Sequence, residues 1–535
     1  MRLNRRGFLI ASTQALAGAS LARGDSGKAR VGLVQSSHQR LAAPASPEDP
    51  LDYPTVHDMV WKAIEYGKPR AGSLQAKIRP GAWVVVKPNL SFLRPQGGYR
   101  SGDITDFRVT KAVLEYVARN SKARRITVAE GGSYRGVRDP STDNAVRQNG
   151  QRVDAATFDW GPEEFPGWSG SLGDTLRELS AQFPGKTFDY IDLAYDGVRD
   201  ASGALRRVEV PRTPRGVGGF GLRTDYFVTN TICNCDFLID VPVMKVHDQC
   251  GITVCLKNYV GTAPREAYAV PGRFWNIRLH DQHSVEDRID PFLVDLAAFH
   301  PPDYNVVDGI RGLQYAVHNN RRPDQTLRNN LVLAGEDTVA VDAVAASIMG
   351  FNPWDMDFLH LAIQRDLGTM DFGKIDVIGD EPDRVRHRWG KPRPWWGRGN
   401  REWLVSRDAA AELATWARYT APTDTLHFVK AAGEAPPETT YGAAVRVRAE
   451  GHRKTFLWLG VRGRVAALLN GEKVMQEENT TRYRVGQFQK EVELRSGENL
   501  LVFRVQAISG EPQLSALLVG PRNDGDTVEG IRWSA

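Results

Sequence analysis

The dominant pattern along this chain is a series of short, uninterrupted apolar runs, each closed by a polar or charged residue. Residues 82–89 (AWVVVKPN) and 126–132 (ITVAEGG) read this way most plainly, and 188–193, 237–243, 305–307, 330–334 and 375–379 are further strand candidates. Runs of this length without polar alternation suit strands covered on both faces. Between them lie helical patterns. Over residues 107–118, Val109, Val113, Leu114 and Val117 fall near one face, and residues 339–349 (VAVDAVAASIM) form the clearest helix. Strand, helix and strand in succession predict βαβ units, and hence an α/β core built on a mostly parallel or mixed sheet. The pattern does not give the strand order.

The pattern changes towards the C-terminus. Residues 386–403 gather Trp389, Trp395, Trp396 and Trp403 among arginines and prolines, which reads as an irregular arm whose rings cover a core. From about Thr425 the apolar runs become short and closely spaced, with Asn470-Gly471 and Ser496-Gly497 as turn signals, so an all-β sandwich is expected. The division is residues 1–22 as a signal peptide and 23–80 as lead and linker. Residues 81–385 form the α/β domain, 386–424 an arm and linker, and 425–535 the sandwich.

Composition adds little until the first residues are set apart. At 535 residues the chain exceeds one ordinary core, and 41% hydrophobic with 25% charged residues is a folded, soluble balance. The opening MRLNRRGFLIASTQALAGASLA has paired Arg5 and Arg6, a modest apolar run and small residues at its end, and looks like a twin-arginine export signal. It implies a folded passage through the twin-arginine translocase and a periplasmic or extracellular location. Three of the positive charges and no acid lie within residues 1–22, so the formal +5 falls to +2 beyond them. No global basicity then argues for a nucleic-acid partner, and no later run approaches a membrane span.

Candidate chemistry gathers where the apolar runs end. Lys87 and Asn89, Glu130, Lys245 and His247, and Asp308 each close one, and Lys257 and Asn258 follow in the dense stretch 240–261 (DVPVMKVHDQCGITVCLKNYVG). In open α/β sheets ligands bind beyond the carboxyl ends of strands. Lys87, Lys245 and Lys257, with Asn89 and Asn258, would bind an anionic small molecule or acidic sugar. His247, Glu130 and Asp308 would serve as acid and base, and His247, Asp308 and His280 could hold a divalent metal. A Gly216, Gly218, Gly221 spacing satisfies GxGxxG, but extended-looking residues follow instead of a helix, so a dinucleotide site is not expected. No GxSxG, P-loop or HExxH motif is present.

Over roughly residues 84–380 these pieces resemble the DUF362 family, a group without an assigned function. The resemblance rests on Val85-Val86-Lys87-Pro88-Asn89, Ala129-Glu130-Gly131, Lys245-Val246-His247 with Leu256-Lys257-Asn258, Val307-Asp308-Gly309 with Gly312, and Gly335-Glu336-Asp337 leading to Ala340-Val341-Asp342-Ala343. It favours His280 as a further ligand. Many members carry a ferredoxin-like cysteine run and are described as iron-sulfur proteins; this chain lacks that run. Its four cysteines, Cys233, Cys235, Cys250 and Cys255, lie within 23 positions and fit ligands, disulfides or buried thiols. The runs RVAALLNGEKV and SGENLLVFRV resemble galactose-binding-like sandwich domains. The expectation is an exported enzyme acting on an anionic substrate at the strand ends, cofactor unknown. The alternatives are a periplasmic redox or iron-sulfur/metal-carrying protein and a non-catalytic glycan-binding module.

Overall fold

The structure is a computed structural model that describes residues 27–90, 102–131, 147–148, 151–152, 170–221, 223–247, 249–270, 273–277, 289–315, 324–391, 400–421, 424–436, 438–481, 483, 486–508, 510–521, 523, 528 and 530–535. The twin-arginine motif, His280, Trp395 and Trp396 lie outside the described residues.

A ten-stranded mixed sheet forms the first core. Its strands are β1 (Ala29–Gln35), β2 (Trp83–Pro88), β3 (Arg125–Glu130), β4 (Thr187–Asp192), β5 (Phe237–Val241), β6 (Val243–His247), β7 (Gly251–Thr253), β8 (Tyr304–Leu313), β9 (Thr326–Gly335) and β10 (Ile375–Gly379). The order is β10, β1, β9, β8, β5, β2, β3, β4, with β6 beside β8 and β7 beside β6. From β8 through β5, β2, β3 to β4 every pairing is parallel. Strand β9 runs antiparallel between β8 and β1. The expected mixed α/β core is therefore present. Residues 23–80, expected to be lead and linker, instead supply β1, which is fully inside the sheet. Its GLV centre was not separable in the sequence from an apolar patch in a linker.

Successive residues of a strand point to opposite faces, and the sheet buries both. Val85, Ala129 and Leu238 belong to an apolar cluster that includes α4 (Asp290–Ala297), α5 (Thr338–Ile348) and α6 (Asp357–Gln364). Val84, Val86, Val128 and Ile239 belong to the other, with α1 (Tyr53–Tyr66), α2 (Phe107–Asn120) and α3 (Leu172–Gln182). The result is three layers, helix, sheet and helix. The N-termini of α1, α2 and α5 are fixed by Asp52, Asp106 and Asp337, whose carboxylates accept backbone N–H groups of the first turn. No helix among the described residues is long and apolar enough to cross a membrane.

The C-terminal domain is an antiparallel, all-β curled sheet. Its central strand, Arg453–Leu469, pairs through its first half with Phe488–Leu494 and Gln513–Val519. The second half pairs with Glu472–Thr480 and Gly497–Gln506. Leu457, Leu459, Val461, Val465, Ala467 and Leu469 face the core at strict period two. Gly463 stands where the partners change, with φ at +130° and no room for a Cβ against the Gln506 carbonyl. Pairing of Glu402–Ser406 with Thr440–Ala449 starts this domain before the change of composition at Thr425. Trp403 lies in its core against Phe503, whereas Trp389 packs on Gly312 of the α/β sheet. The tryptophan arm thus spends its described rings on two cores. Arg401 ion-pairs with the buried Asp357 of α6, tying the two domains.

Candidate functional site

The carboxyl ends of β2, β3 and β5 are adjacent because these strands are parallel neighbours. Lys87 and Asp240 stand in register on β2 and β5, so their side chains leave the sheet on the same face. Lys87 is fully buried, and its Nζ lies 2.7 Å from Glu130 Oε2. Glu130 Oε1 accepts the N–H of Gly131 at 2.8 Å. Asn258 bridges the two strands: its Nδ2 donates to Asp240 Oδ1 at 2.7 Å and to the Lys87 carbonyl at 3.3 Å. Asp240 Oδ2 is buried with no hydrogen-bond partner among the described residues. Burial pushes the Asp240 carboxyl well above the usual carboxylate range, although the Lys87 charge and the Asn258 bond pull the other way.

Asn258 is delivered by a helical turn, Cys255–Asn258, which the sequence alone begins poorly because Val254 offers no capping side chain. Asp342 on α5 supplies the cap from across the core. Its carboxylate accepts the Cys255 and Leu256 N–H groups at 2.7 and 3.0 Å. Burial lifts this carboxyl to about 6, with those bonds opposing the rise. Just past the turn, Gly261 closes over the ion pair. A Cβ there would stand 2.3 Å from Glu130 Oε1 and 2.8 Å from Lys87 Nζ. The buried Arg265 then donates to the Gly131 carbonyl at 3.3 Å.

Lys245 enters from β6. It is 1% exposed on its side chain, and its Nζ donates to the Asp103 carbonyl at 2.5 Å and to Asn89 Oδ1 at 3.4 Å, with Asp103 Oδ1 at 3.8 Å. Asn89 is held in turn by Thr105, whose hydroxyl accepts the Asn89 N–H and donates to the Val241 carbonyl. Burial pulls the Lys245 ammonium down to about 8; Asp103 resists, the Lys257 charge adds to the fall, and Glu130 opposes it. Lys87, Glu130, Asn258 and Asp240 therefore form one hydrogen-bonded group. Lys245, Asn89 and Asp103 form a second, and Glu130 and Lys257 act electrostatically on it.

His247 and Asp308 are placed differently. His247 is buried at the end of β6 and its Nδ1 accepts the Gln249 N–H at 3.2 Å, which leaves Nε2 to carry the proton of the neutral ring. Asp308 pairs in register with Val243, but its oxygens accept the Asp106 and Ile310 N–H groups at 2.8 and 2.9 Å. Burial and the neighbouring Asp106 charge raise it to about 7. Its carboxylate is turned into the start of α2, where Asp106 also pairs with Arg108. Among the described residues no three or more His, Cys, Asp or Glu side chains stand where they could hold a metal ion. Of the ligand set His247, Asp308 and His280, the last lies outside the described residues, and both Asp308 oxygens accept backbone amides.

Sequence reasoning passed over Asp240, Asp103, Gly261 and Arg265. Asp240 had a legible signal, a carboxylate inside the apolar run FLIDV. The other three depend on loop closure. The four cysteines stand as thiols, Cys235, Cys250 and Cys255 buried and Cys233 half-buried, and Cys250 Sγ donates to the Ile252 carbonyl at 3.4 Å. The GxGxxG segment is a loop whose Phe220 and Gly221 N–H groups are taken by Asp295, an acid where a dinucleotide would need a phosphate.

Residues 200–347 match the family described as Domain of unknown function (DUF362), which includes the Lys245, Lys257, Asn258 and Asp308 segments. No curated protein matches the chain. Among solved structures, the lactate racemase apoprotein of Thermoanaerobacterium thermosaccharolyticum aligns at 10% identity and a TM-score of 0.28, covering 55% of this chain and 55% of that one. A family 35 carbohydrate binding module from an environmental isolate aligns at 11% identity and a TM-score of 0.14, covering 19% of this chain and 74% of the module. A β-glucosidase of Kluyveromyces marxianus aligns at 10% identity and a TM-score of 0.18, covering 23% of this chain. The chain spans 17% of that β-glucosidase's length. Scores this low carry no functional argument.

Proposed function

We propose that this chain, whose central segment matches DUF362, is an exported enzyme that binds an anionic small molecule at the carboxyl ends of β2, β3, β5 and β6 and moves a proton there. The observation that carries this reading is Lys245, a buried ammonium drawn down to about 8, in the field of Lys257 and Glu130. An amine in that range both binds an anion when charged and accepts a proton near neutral pH. Lys87 and Lys257 supply further positive charge, and Asn89 and Asn258 supply oriented amides. Glu130 holds Lys87 in place, and His247 lies two residues from Lys245 on the same strand face as a second proton carrier. Asp308 acts from behind, fixing the start of α2.

The test is ligand-induced thermal stabilisation of the full chain by a 2-hydroxy acid, a sugar acid and inorganic phosphate, with a neutral sugar as control. At least one anion raises Tm in the wild type and fails to do so in Lys245→Met. Stabilisation by the neutral sugar alone would overturn the reading. Export through the twin-arginine translocase belongs to the same proposal. Replacing both Arg5 and Arg6 by lysine should leave the protein in the cytoplasmic fraction.

A second reading, a glycan-binding role for the curled sheet, is favoured by a groove of about 310 Å³ that carries Arg464, Lys473, Gln476, Arg504 and Gln506, with Glu478 paired to Arg464 at 2.8 Å. Arginines and amides side by side suit an acidic sugar. Binding of a sugar acid that survives Lys245→Met and is lost in Arg504→Ala would favour it over the strand-end site.

A further inference from the structure

A second cluster of reactive side chains lies at the opposite edge of the sheet, just before the first residues of β5 and β8. Cys235 ends the helical turn Asn230–Asn234, and its Sγ lies 3.8 Å from His300 Nδ1. His300 Nε2 lies 3.2 Å from Asp303 Oδ2. Asp303 Oδ2 is itself fixed by the Leu238 N–H at 2.8 Å, and the Tyr259 hydroxyl holds the loop by donating to the His300 carbonyl at 2.6 Å. The thiol, which also donates to the Ile232 carbonyl at 3.6 Å, the imidazole and the carboxylate thus stand in line. Burial opposes a charge on the ring, but the contacts with Asp303 and Cys235 outweigh it and lift the imidazolium to about 10.

Cys233 is two residues away and half-buried. Burial pushes its thiol up to about 12, with the Cys235 and Asp196 charges adding to the effect. The two sulfurs are therefore unequal: one sits beside an imidazolium and the other stays a thiol. The groups facing this cluster are Asp196, Tyr259 and Asp303.

We propose that Cys235 is oxidised by hydroperoxides, positioned by His300 and Asp303, with Cys233 as its resolving thiol. The Cys235 thiolate attacks one peroxide oxygen, the O–O bond breaks, and the leaving hydroxide takes the His300 proton to depart as water. This gives a sulfenic acid at Cys235. Cys233 then attacks that sulfur, the S–O bond breaks, and a second water leaves with the Cys233 proton. Two thiols are oxidised to one disulfide and one hydroperoxide is reduced.

The experiment treats the fully reduced full-length chain with hydrogen peroxide at neutral pH and maps the products by peptide mass spectrometry. The peptide carrying Cys233 and Cys235 loses two hydrogens, while Cys250 and Cys255 remain thiols. In Cys233→Ser, dimedone traps a sulfenic acid at Cys235. In His300→Gln, oxidation at neutral pH slows about tenfold or more. If that variant does not fold, the wild type decides by iodoacetamide labelling. A Cys235 labelling rate at neutral pH well above that of Cys233 supports the proposal, and a rate equal to or below that of Cys233 overturns it. Oxidation of Cys250 or Cys255 before Cys235, or no Cys233–Cys235 disulfide, also overturns it.

Discussion

Lys87 and Asp240 occupy the same register on neighbouring parallel strands, and Asn258 ties them by donating to the carbonyl of one and the carboxyl of the other. Among the described residues one acid, Glu130, answers the lysine as a direct ion-pair partner at 2.7 Å. Removing one member of a buried pair strands the other charge and costs about 3–5 kcal/mol, while neutralising both is far milder. Lys87→Met should therefore lower unfolding free energy by about that amount, and Lys87→Met with Glu130→Gln should recover most of it. Urea denaturation of the three proteins checks this. A single substitution costing under about 1 kcal/mol would show that the pair bears no such load.

Lys245 gives a pH signature of opposite sense to most lysines. Its folded value, about 8, lies below the ordinary 10.5. Below pH 8 both folded and unfolded states carry the proton, and the full penalty of burying it is present. Between about pH 8 and 10.5 only the unfolded state holds it, so stability rises with pH by roughly 3 kcal/mol in total from this group. Lys245→Met should be at least as stable as the wild type at pH 7 and should lack that rise. Denaturation midpoints of both proteins at pH 7, 9 and 10 make the comparison.

The apolar runs made most of this fold legible, since a strand buried on both faces has few other ways to read. Residues 107–118 and 339–349 likewise announced helices, because their apolar positions repeat at helical spacing. What stayed hidden is what comes from afar. Strand β1 was lost because its pairing with β9 and β10 depends on residues some 300 positions away. The turn that presents Asn258 is capped by Asp342 from another helix, a contact no local pattern contains. The same holds for Asp308: its position after an apolar run was readable, but not that its oxygens would be spent on the amides of Asp106 and Ile310.

That commitment sets a third expectation. Asp308 is raised to about 7 from 3.8, so its favourable contribution is complete below about pH 4 and is lost as pH rises through 7. In Asp308→Asn this slope disappears, but one N–H of Asp106 or Ile310 then faces an amide nitrogen instead of an oxygen. The variant should be less stable than the wild type at pH 5, by about 1–3 kcal/mol, with the gap narrowing towards pH 8. Equal pH dependence in the two proteins would mean that Asp308 does not titrate in this range.

Gly261 offers the sharpest separation of site from scaffold, because it touches the ion pair from above and contributes no side chain of its own. An added methyl would press on Glu130 Oε1 and Lys87 Nζ, both fully enclosed and unable to swing into solvent. Overpacking of this kind costs about 1–3 kcal/mol. Gly261→Ala should therefore lose stability by that amount while far-ultraviolet circular dichroism is unchanged. It should also weaken anion-induced thermal stabilisation, since Lys87 is displaced from its register partner Asp240. Under the alternative in which the anion binds only on the curled sheet, Gly261→Ala lowers Tm yet leaves the ligand-induced shift intact, and comparing the shift in Gly261→Ala with that in Arg504→Ala tells the two sites apart.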